Sequence, residues 1–144
     1  MAIKFIAIDT DGTLLNSNGE ILPSTRIAIK HALDKGIKVT LCSGRPIAGL
    51  QHFMKELGIE GPEQYAITLN GAITRTADGK IMTEDLVSNE FYRKMTDFGK
   101  QNHIPFNVVS PNSEIITSDH DVDFMVYLQA YENTATLYLS LIHI

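Results

Sequence analysis

Lys4-Phe5-Ile6-Ala7-Ile8-Asp9-Thr10-Asp11-Gly12-Thr13-Leu14-Leu15 runs an apolar, strand-like stretch into two carboxylates with a glycine directly behind them. At a period of two, Ile6 and Ile8 face one way and Phe5 and Ala7 the other. Both sets are apolar, so the stretch predicts a strand buried on both faces, as in a parallel sheet. Its exit is then the rim at which α/β sheets bind ligands. Asp9 and Asp11, at i and i+2, would project alike only if the strand continued, and the break at Gly12 lets them diverge into different roles.

Outward from this stretch the chain alternates. Ser24 is an expected N-cap for a helix over Thr25 to Lys35, in which Ile29 and Leu33 stack at i, i+4 and Gly36 supplies the stop. A second strand is expected over Ile37 to Cys42, followed by Ser43-Gly44-Arg45-Pro46. Ile47, Leu50, Met54 and Leu57 then space an amphipathic helix from Pro46 to Gly58. A third strand, Tyr65 to Leu69, runs into Asn70-Gly71. Strand, helix, strand, helix, strand at this spacing is a βαβαβ unit, whose default is a right-handed parallel sheet.

Beyond Asn70 the rhythm changes. Ala72 to Arg75 and Lys80 to Glu84 flank Asp78-Gly79, a hairpin signal. Ser88 is placed to cap a helix with Phe91, Met95 and Phe98 on one face. Three β-like runs follow, Ile104 to Val109, Glu114 to Thr117 and Phe124 to Leu128, which reads as the opening of an α+β module. The expected organisation is 1–84 for the first domain, 85–138 for the module and 139–144 for a tail without cap, turn or charge.

Composition narrows the function. With 44% hydrophobic and 20% charged residues the chain is globular in character, and no apolar run approaches the roughly 20 residues of a membrane span. The N-terminus lacks the long apolar region of a secretory signal, so a cytoplasmic protein is expected. A single cysteine, Cys42, cannot form an internal disulfide. The net charge is -5, and no Lys or Arg follows Lys100. An acidic tail of this kind argues against nucleic acid or an anionic membrane as partner.

The chemistry concentrates at two strand ends. A carboxylate can attack phosphorus if a cation offsets the charge and a second group protonates the leaving oxygen, and Asp9 and Asp11 supply both carboxylates. Gly12 and Thr13 offer backbone N–H groups in the turn, where a phosphate oxygen can be held. At the next strand end Ser43 gives a hydroxyl, Gly44 permits close backbone approach and Arg45 offers a cationic fork. A bare D-x-D is equally well a polar turn. The apolar strand before it, Gly12-Thr13 after it and Ser43-Gly44-Arg45 at the neighbouring strand end favour a phosphate site.

This combination resembles the haloacid dehalogenase superfamily, whose first motif D-x-D-G-T matches Asp9-Thr10-Asp11-Gly12-Thr13 and whose second-motif Ser/Thr matches Ser43. Ser43-Gly44-Arg45-Pro46, Asn70-Gly71-Ala72 and the module after the third strand resemble its Cof-type branch of sugar phosphatases. The resemblance implies an α/β fold, a partial Rossmann-like parallel sheet with the beginning of an α+β cap. It implies Mg2+-dependent hydrolysis of small phosphorylated metabolites through an aspartyl phosphate. Asp9 is then nucleophile and metal ligand, and Asp11 general acid/base with its backbone carbonyl on the metal. Gly12, Thr13, Ser43, Gly44, Arg45 and Asn70 line the phosphate.

The third-motif lysine and the fourth-motif acidic pair of that family have no counterpart, since Lys94 and Lys100 fall on the module's first helix. The expectation is therefore a chain truncated after about residue 138. In the same reading Leu139 to Ile144 is a non-native tail, because one frame of a common transposase sequencing adapter encodes Leu-Ser-Leu-Ile-His-Ile. A strand left without its family neighbours becomes an exposed apolar edge. Two alternatives stay open, a non-catalytic phosphate- or metal-binding remnant and a phosphomutase of the same superfamily.

Other signals fail on context. Asp9 to Glu20 carries oxygen ligands at calcium-loop positions, but Leu14 stands where glycine is needed and a strand enters the loop. Cys42 lacks the spacing to Arg45 that cysteine phosphatases use and reads as a small buried hydrophobe. Asp119, His120, Asp121 and Asp123 read as a solvated turn, and His31, His52 and His103 as surface residues.

Overall fold

The computed structural model describes residues 3–118 and 122–139. The chain divides into two compact units, Met1–Glu84 and Asp85–Ile144.

In the first unit, β1 (Phe5–Asp9), β2 (Lys38–Cys42) and β3 (Tyr65–Thr68) pair in parallel, and β3 continues antiparallel to β4 (Ile73–Thr76) and β5 (Ile81–Glu84). The helices α1 (Pro23–Asp34) and α2 (Gln51–Leu57) are the crossovers. This is the expected α/β sheet, and the expected hairpin turns at Gly79, where φ is +102°.

Burial on both faces, expected of β1, belongs instead to β2, whose Val39, Thr40 and Leu41 are all inaccessible. In β1 Phe5, Ala7 and Asp9 are exposed and Ile6 and Ile8 are half-buried. The reason is position. β1 stands at the end of the strand order, and among the described residues no strand pairs with its outer side. An apolar strand sequence reports what can be buried, not whether a neighbour covers it.

Two helix expectations need correction. Leu22, not Ser24, precedes α1, and no side chain caps it. Pro23 takes the first helical position, where a missing N–H costs nothing and its fixed φ suits the helix, so Ser24 lies one residue inside. The single helix expected from Pro46 to Gly58 is a 3-10 turn, Ile47–Gly49, followed by α2. Its apolar spacing holds across the break, since Leu50, Phe53, Met54 and Leu57 are buried in the core with Ile29 and Leu41. Gly58 ends α2 in the left-handed region at φ +71°, as glycine does without a Cβ penalty.

The second unit comprises α3 (Asn89–Asn102), β6 (Asn107–Val109), β7 (Glu114–Thr117), α4 (Phe124–Glu132) and β8 (Thr136–Leu139), in sheet order β6-β7-β8. Ser88 caps α3 as expected, its Oγ accepting the Phe91 N–H at 3.1 Å. On the face spaced by Phe91, Met95 and Phe98, Phe91 and Phe98 are exposed, and the buried residues of α3 are Thr96 and Gly99. Gly99 explains this. A Cβ there would lie 2.8 Å from the Ile104 carbonyl oxygen, so the chain leaving the helix packs directly on the glycine.

The run Phe124 to Leu128 is a helix, not a strand. Asp123 accepts the Met125 N–H at 2.7 Å, which caps α4, and the pattern continues to Ala130 on the buried side. A short apolar run does not by itself separate the two states. β8 then pairs parallel with β7, Leu139 opposite Thr117. Leu139, expected in the tail, closes this strand, while Ser140 to Ile144 lie outside the described residues. So do Asp119, His120 and Asp121.

Candidate active site

The parallel register sets Asp9 opposite Cys42 and Cys42 opposite Ile67. The three strands therefore end together. Asp9, the segment Ser43-Gly44-Arg45 and the loop Leu69–Gly71 all emerge at one rim of the first unit.

After Asp9 the chain makes one wide turn, Thr10–Leu14, closed by the Leu15 N–H on the Thr10 carbonyl at 3.0 Å. Gly12 sits in it at φ +76°, a conformation that favours glycine. The turn is anchored from below by Thr10, which is fully buried with its hydroxyl directed at the Cys42 carbonyl, 3.5 Å away. The Thr13 hydroxyl donates to Asp9 Oδ2 at 3.4 Å. Asp11 turns away from Asp9, as the break at Gly12 suggests, and meets Arg45. The guanidinium donates through Nε to Oδ2 at 3.0 Å and through Nη2 to Oδ1 at 2.8 Å. These hydrogen bonds, with the positive charge behind them, hold the Asp11 carboxyl below its ordinary pKa against a smaller opposing effect of burial. The Cys42 thiol is pushed up by burial first and by the Asp9 charge second, so it stays protonated.

The second and third strand ends are tied to each other. The Ser43 N–H donates to the Ile67 carbonyl, the Asn70 N–H to the Ser43 carbonyl at 3.2 Å, and the Leu69 N–H to the Arg45 carbonyl at 3.2 Å. Ser43 is buried, and its Oγ accepts the Arg45 N–H at 3.2 Å. Asn70 holds φ +56°, between Leu69 at +53° and Gly71 at +94°. Its side-chain oxygen occupies the space a Cβ on Gly44 would need, at 2.9 Å. Gly44 thus admits the Asn70 amide to the site.

All eight residues expected at the site, Asp9, Asp11, Gly12, Thr13, Ser43, Gly44, Arg45 and Asn70, stand on these three strand ends. Arg45, expected to line the phosphate, engages Asp11 in this structure. Sequence reasoning did not find the Thr10 anchor or the Gly44–Asn70 contact. Among the described residues no group of three or more His, Cys, Asp and Glu converges, and no helix is long and apolar enough to cross a membrane.

Comparison with known proteins gives this geometry its context. The family model for haloacid dehalogenase-like hydrolases matches residues 6–141. The chain is 33% identical over 126 residues to the Bacillus subtilis protein YxeH, covering 86% of this chain and 46% of that one. It is 33% identical over 118 residues to YwtE of the same organism, named a 5-amino-6-(5-phospho-D-ribitylamino)uracil phosphatase, covering 82% and 37%. The crystal structure of a haloacid dehalogenase-like hydrolase from Bacteroides thetaiotaomicron superposes with a TM-score of 0.84 at 26% identity, covering 97% of this chain and 52% of that one. The chain thus spans under half the length of these two curated relatives.

Proposed function

The chain belongs to the haloacid dehalogenase-like hydrolases, and from that premise we propose that it carries the nucleophile-bearing part of a Mg2+-dependent phosphomonoester hydrolase. Its substrates in this reading are small phosphorylated metabolites, sugar phosphates foremost. The observation that carries the proposal is the meeting of Asp9 and Asp11 with Ser43, Gly44 and Asn70 at one sheet rim, cross-tied by backbone hydrogen bonds. The name of YwtE supports a phosphate ester as the substrate class.

In the first step the Asp9 carboxylate attacks phosphorus, the ester P–O bond breaks and the leaving oxygen takes a proton from the Asp11 carboxyl. Water then attacks the phosphorus of the aspartyl phosphate, passes a proton to Asp11, and releases inorganic phosphate and free Asp9. The Ser43 hydroxyl, the Asn70 amide and the N–H groups of Gly12 and Thr13 hold the non-reacting oxygens. Arg45 keeps Asp11 ionised, the form the second step uses, so the first step requires the guanidinium to release it. The donors at the turn fit Mg2+, which is commonly held through one or two carboxylates and keeps several waters. The Asp9 carboxylate and the Asp11 backbone carbonyl would hold it. When bound, it supplies positive charge against the transferring phosphoryl oxygens. In the same proposal the first unit is the phosphatase core, the second the opening of an α+β cap, and the cytoplasm the place of work.

One observation favours a second reading, a non-catalytic phosphate-binding remnant. Both Asp11 oxygens are engaged by Arg45, whereas the first step needs a proton there. Hydrolysis of p-nitrophenyl phosphate by the 144-residue chain separates the two. Mg2+-dependent turnover that Asp9→Asn abolishes is the expected result. Phosphate binding without turnover supports the remnant.

A further inference from the structure

The chain carries two Asn-Gly dipeptides, Asn18-Gly19 and Asn70-Gly71, and the phosphatase reading uses only Asn70 of them. In such a pair the glycine nitrogen can attack the asparagine side-chain carbonyl carbon, because glycine has no Cβ to crowd the approach. The structure gives the two pairs different surroundings. Asn18 and Gly19 are exposed at the tip of the turn between Leu15 and Ile21, which meet in an isolated bridge. Asn16 organises this turn. Its Oδ1 accepts the N–H groups of Asn18 at 2.9 Å and Glu20 at 3.0 Å, and its carbonyl accepts the Gly19 N–H at 3.0 Å. The Asn18 side-chain amide makes no hydrogen bond among the described residues. Asn70 is exposed as well, but its loop is tied down. The Leu69 and Asn70 N–H groups donate to the carbonyls of Arg45 and Ser43, the Asn70 backbone holds φ +56° and ψ +33°, and its side-chain oxygen fills the space a Cβ on Gly44 would need.

We infer that Asn18 is a self-modification site, converting to aspartate and isoaspartate without enzyme or cofactor, and that the fold protects Asn70 from the same reaction. The Gly19 nitrogen bonds to Asn18 Cγ and loses its proton to water, the Cγ–Nδ2 bond breaks and ammonia leaves, which closes a succinimide ring. Water then opens the ring. Breaking the new bond to Cγ gives aspartate, and breaking the original peptide bond gives isoaspartate. Ring closure requires rotation about the Asn18 Cα–C bond and release of the Gly19 N–H from Asn16. The loss of one exposed hydrogen bond slows Asn18 about five-fold relative to the unfolded chain. At Asn70 the rotation strains two tied N–H groups, about 25-fold on the same scale, and also unseats the amide from Gly44. Each conversion at Asn18 adds a negative charge to the turn. Isoaspartate also lengthens the backbone there, which moves the Gly19 and Glu20 N–H groups away from Asn16.

The test is peptide mapping by mass spectrometry of the full chain after incubation in mildly alkaline buffer, folded and in urea. Replacement of the side-chain NH2 by OH raises the peptide mass, and separation of aspartate from isoaspartate peptides identifies the succinimide route. The expected rates are about five-fold below the urea value at Asn18 and at least about 25-fold below it at Asn70. Gly44→Ala, which displaces the Asn70 amide, should raise the Asn70 rate and leave Asn18 unchanged. If that variant loses the native fold, the comparison of folded with urea-unfolded parent chain carries the test. No measurement here needs turnover, so failure of the phosphatase reading does not decide this one. Absence of conversion at Asn18 in the folded chain, Asn70 reacting as fast as Asn18 there, or a folded Gly44→Ala chain with an unchanged Asn70 rate overturns the inference.

Discussion

The guanidinium of Arg45 is forked onto the carboxylate of Asp11, with both oxygens held at 2.8 and 3.0 Å across 34 residues of sequence. A group whose folded pKa lies below its unfolded value stabilises the fold above the unfolded pKa and loses that contribution as pH falls through the folded one. For Asp11 the unfolded value is 3.8, so the pair contributes fully above pH 3.8 and fades below it. Arg45→Met should raise the Asp11 midpoint toward 3.8, read by 13C carboxyl titration. The Asp11 side chain is 57% exposed, which keeps the stability difference to at most about 1 kcal/mol at neutral pH. In urea unfolding that difference should shrink on acidification. An unmoved midpoint would refute the assignment.

Gly44 and Asn70 form a second, steric relationship. A methyl at position 44 would sit 2.9 Å from Asn70 Oδ1, the far end of a side chain that can turn. Gly44→Ala should therefore displace the Asn70 amide at a modest cost of about 1 kcal/mol. In an Asn70→Gly background, which keeps the positive φ of +56° available, the cost should vanish. A double-mutant cycle by chemical denaturation measures this coupling. Additive effects would mean that Gly44 is required for something other than the Asn70 contact.

Gly99 sets helix propensity against packing. Alanine inside a helix is favoured over glycine by about 1 kcal/mol. Here its Cβ would stand 2.8 Å from the backbone oxygen of Ile104 and 3.4 Å from Phe106 Cβ, and backbone cannot move aside as a side-chain tip can. Packing should win, with Gly99→Ala net destabilising by about 1–2 kcal/mol in urea unfolding. A stabilised variant would show that the helix exit can relax.

How far the sequence reveals this molecule depends on whether its signals are local. The βαβαβ order is legible because the strand runs, Gly36, Gly58 and the spacing of Leu50, Met54 and Leu57 all act within a few residues and agree with one another. The candidate site is legible for the same reason, since Asp9 closes β1 and Ser43 and Asn70 stand just beyond the ends of β2 and β3. Burial is less so. The inward face of α3 is decided by Ile104 meeting Gly99, and no apolar spacing within the helix records that contact. Phe124 to Leu128 has β-like composition, and the capping by Asp123 at its first turn outweighs it. The Arg45–Asp11 pair is illegible, because two residues on different loops become neighbours only once β1 and β2 are in register.

That register also leaves β1 as an edge. Phe5 and Ala7 are exposed along it and Ile3 just before it, and its outer backbone groups face no strand among the described residues. Unpaired N–H and C=O groups beside apolar side chains invite edge-to-edge association, which a charged side chain on the edge discourages. Ala7→Lys places a cation at an exposed position opposite Thr40 without touching the buried residues of β2. It should lower the concentration-dependent light scattering of the chain while leaving its far-UV circular dichroism unchanged. A control on the exposed surface of α1, Lys30→Ala, should not lower it. If both variants scatter as the parent does, association arises elsewhere, and the exposed side chains of α4 (Phe124 at 72% and Tyr131 at 85%) become the next surface to charge.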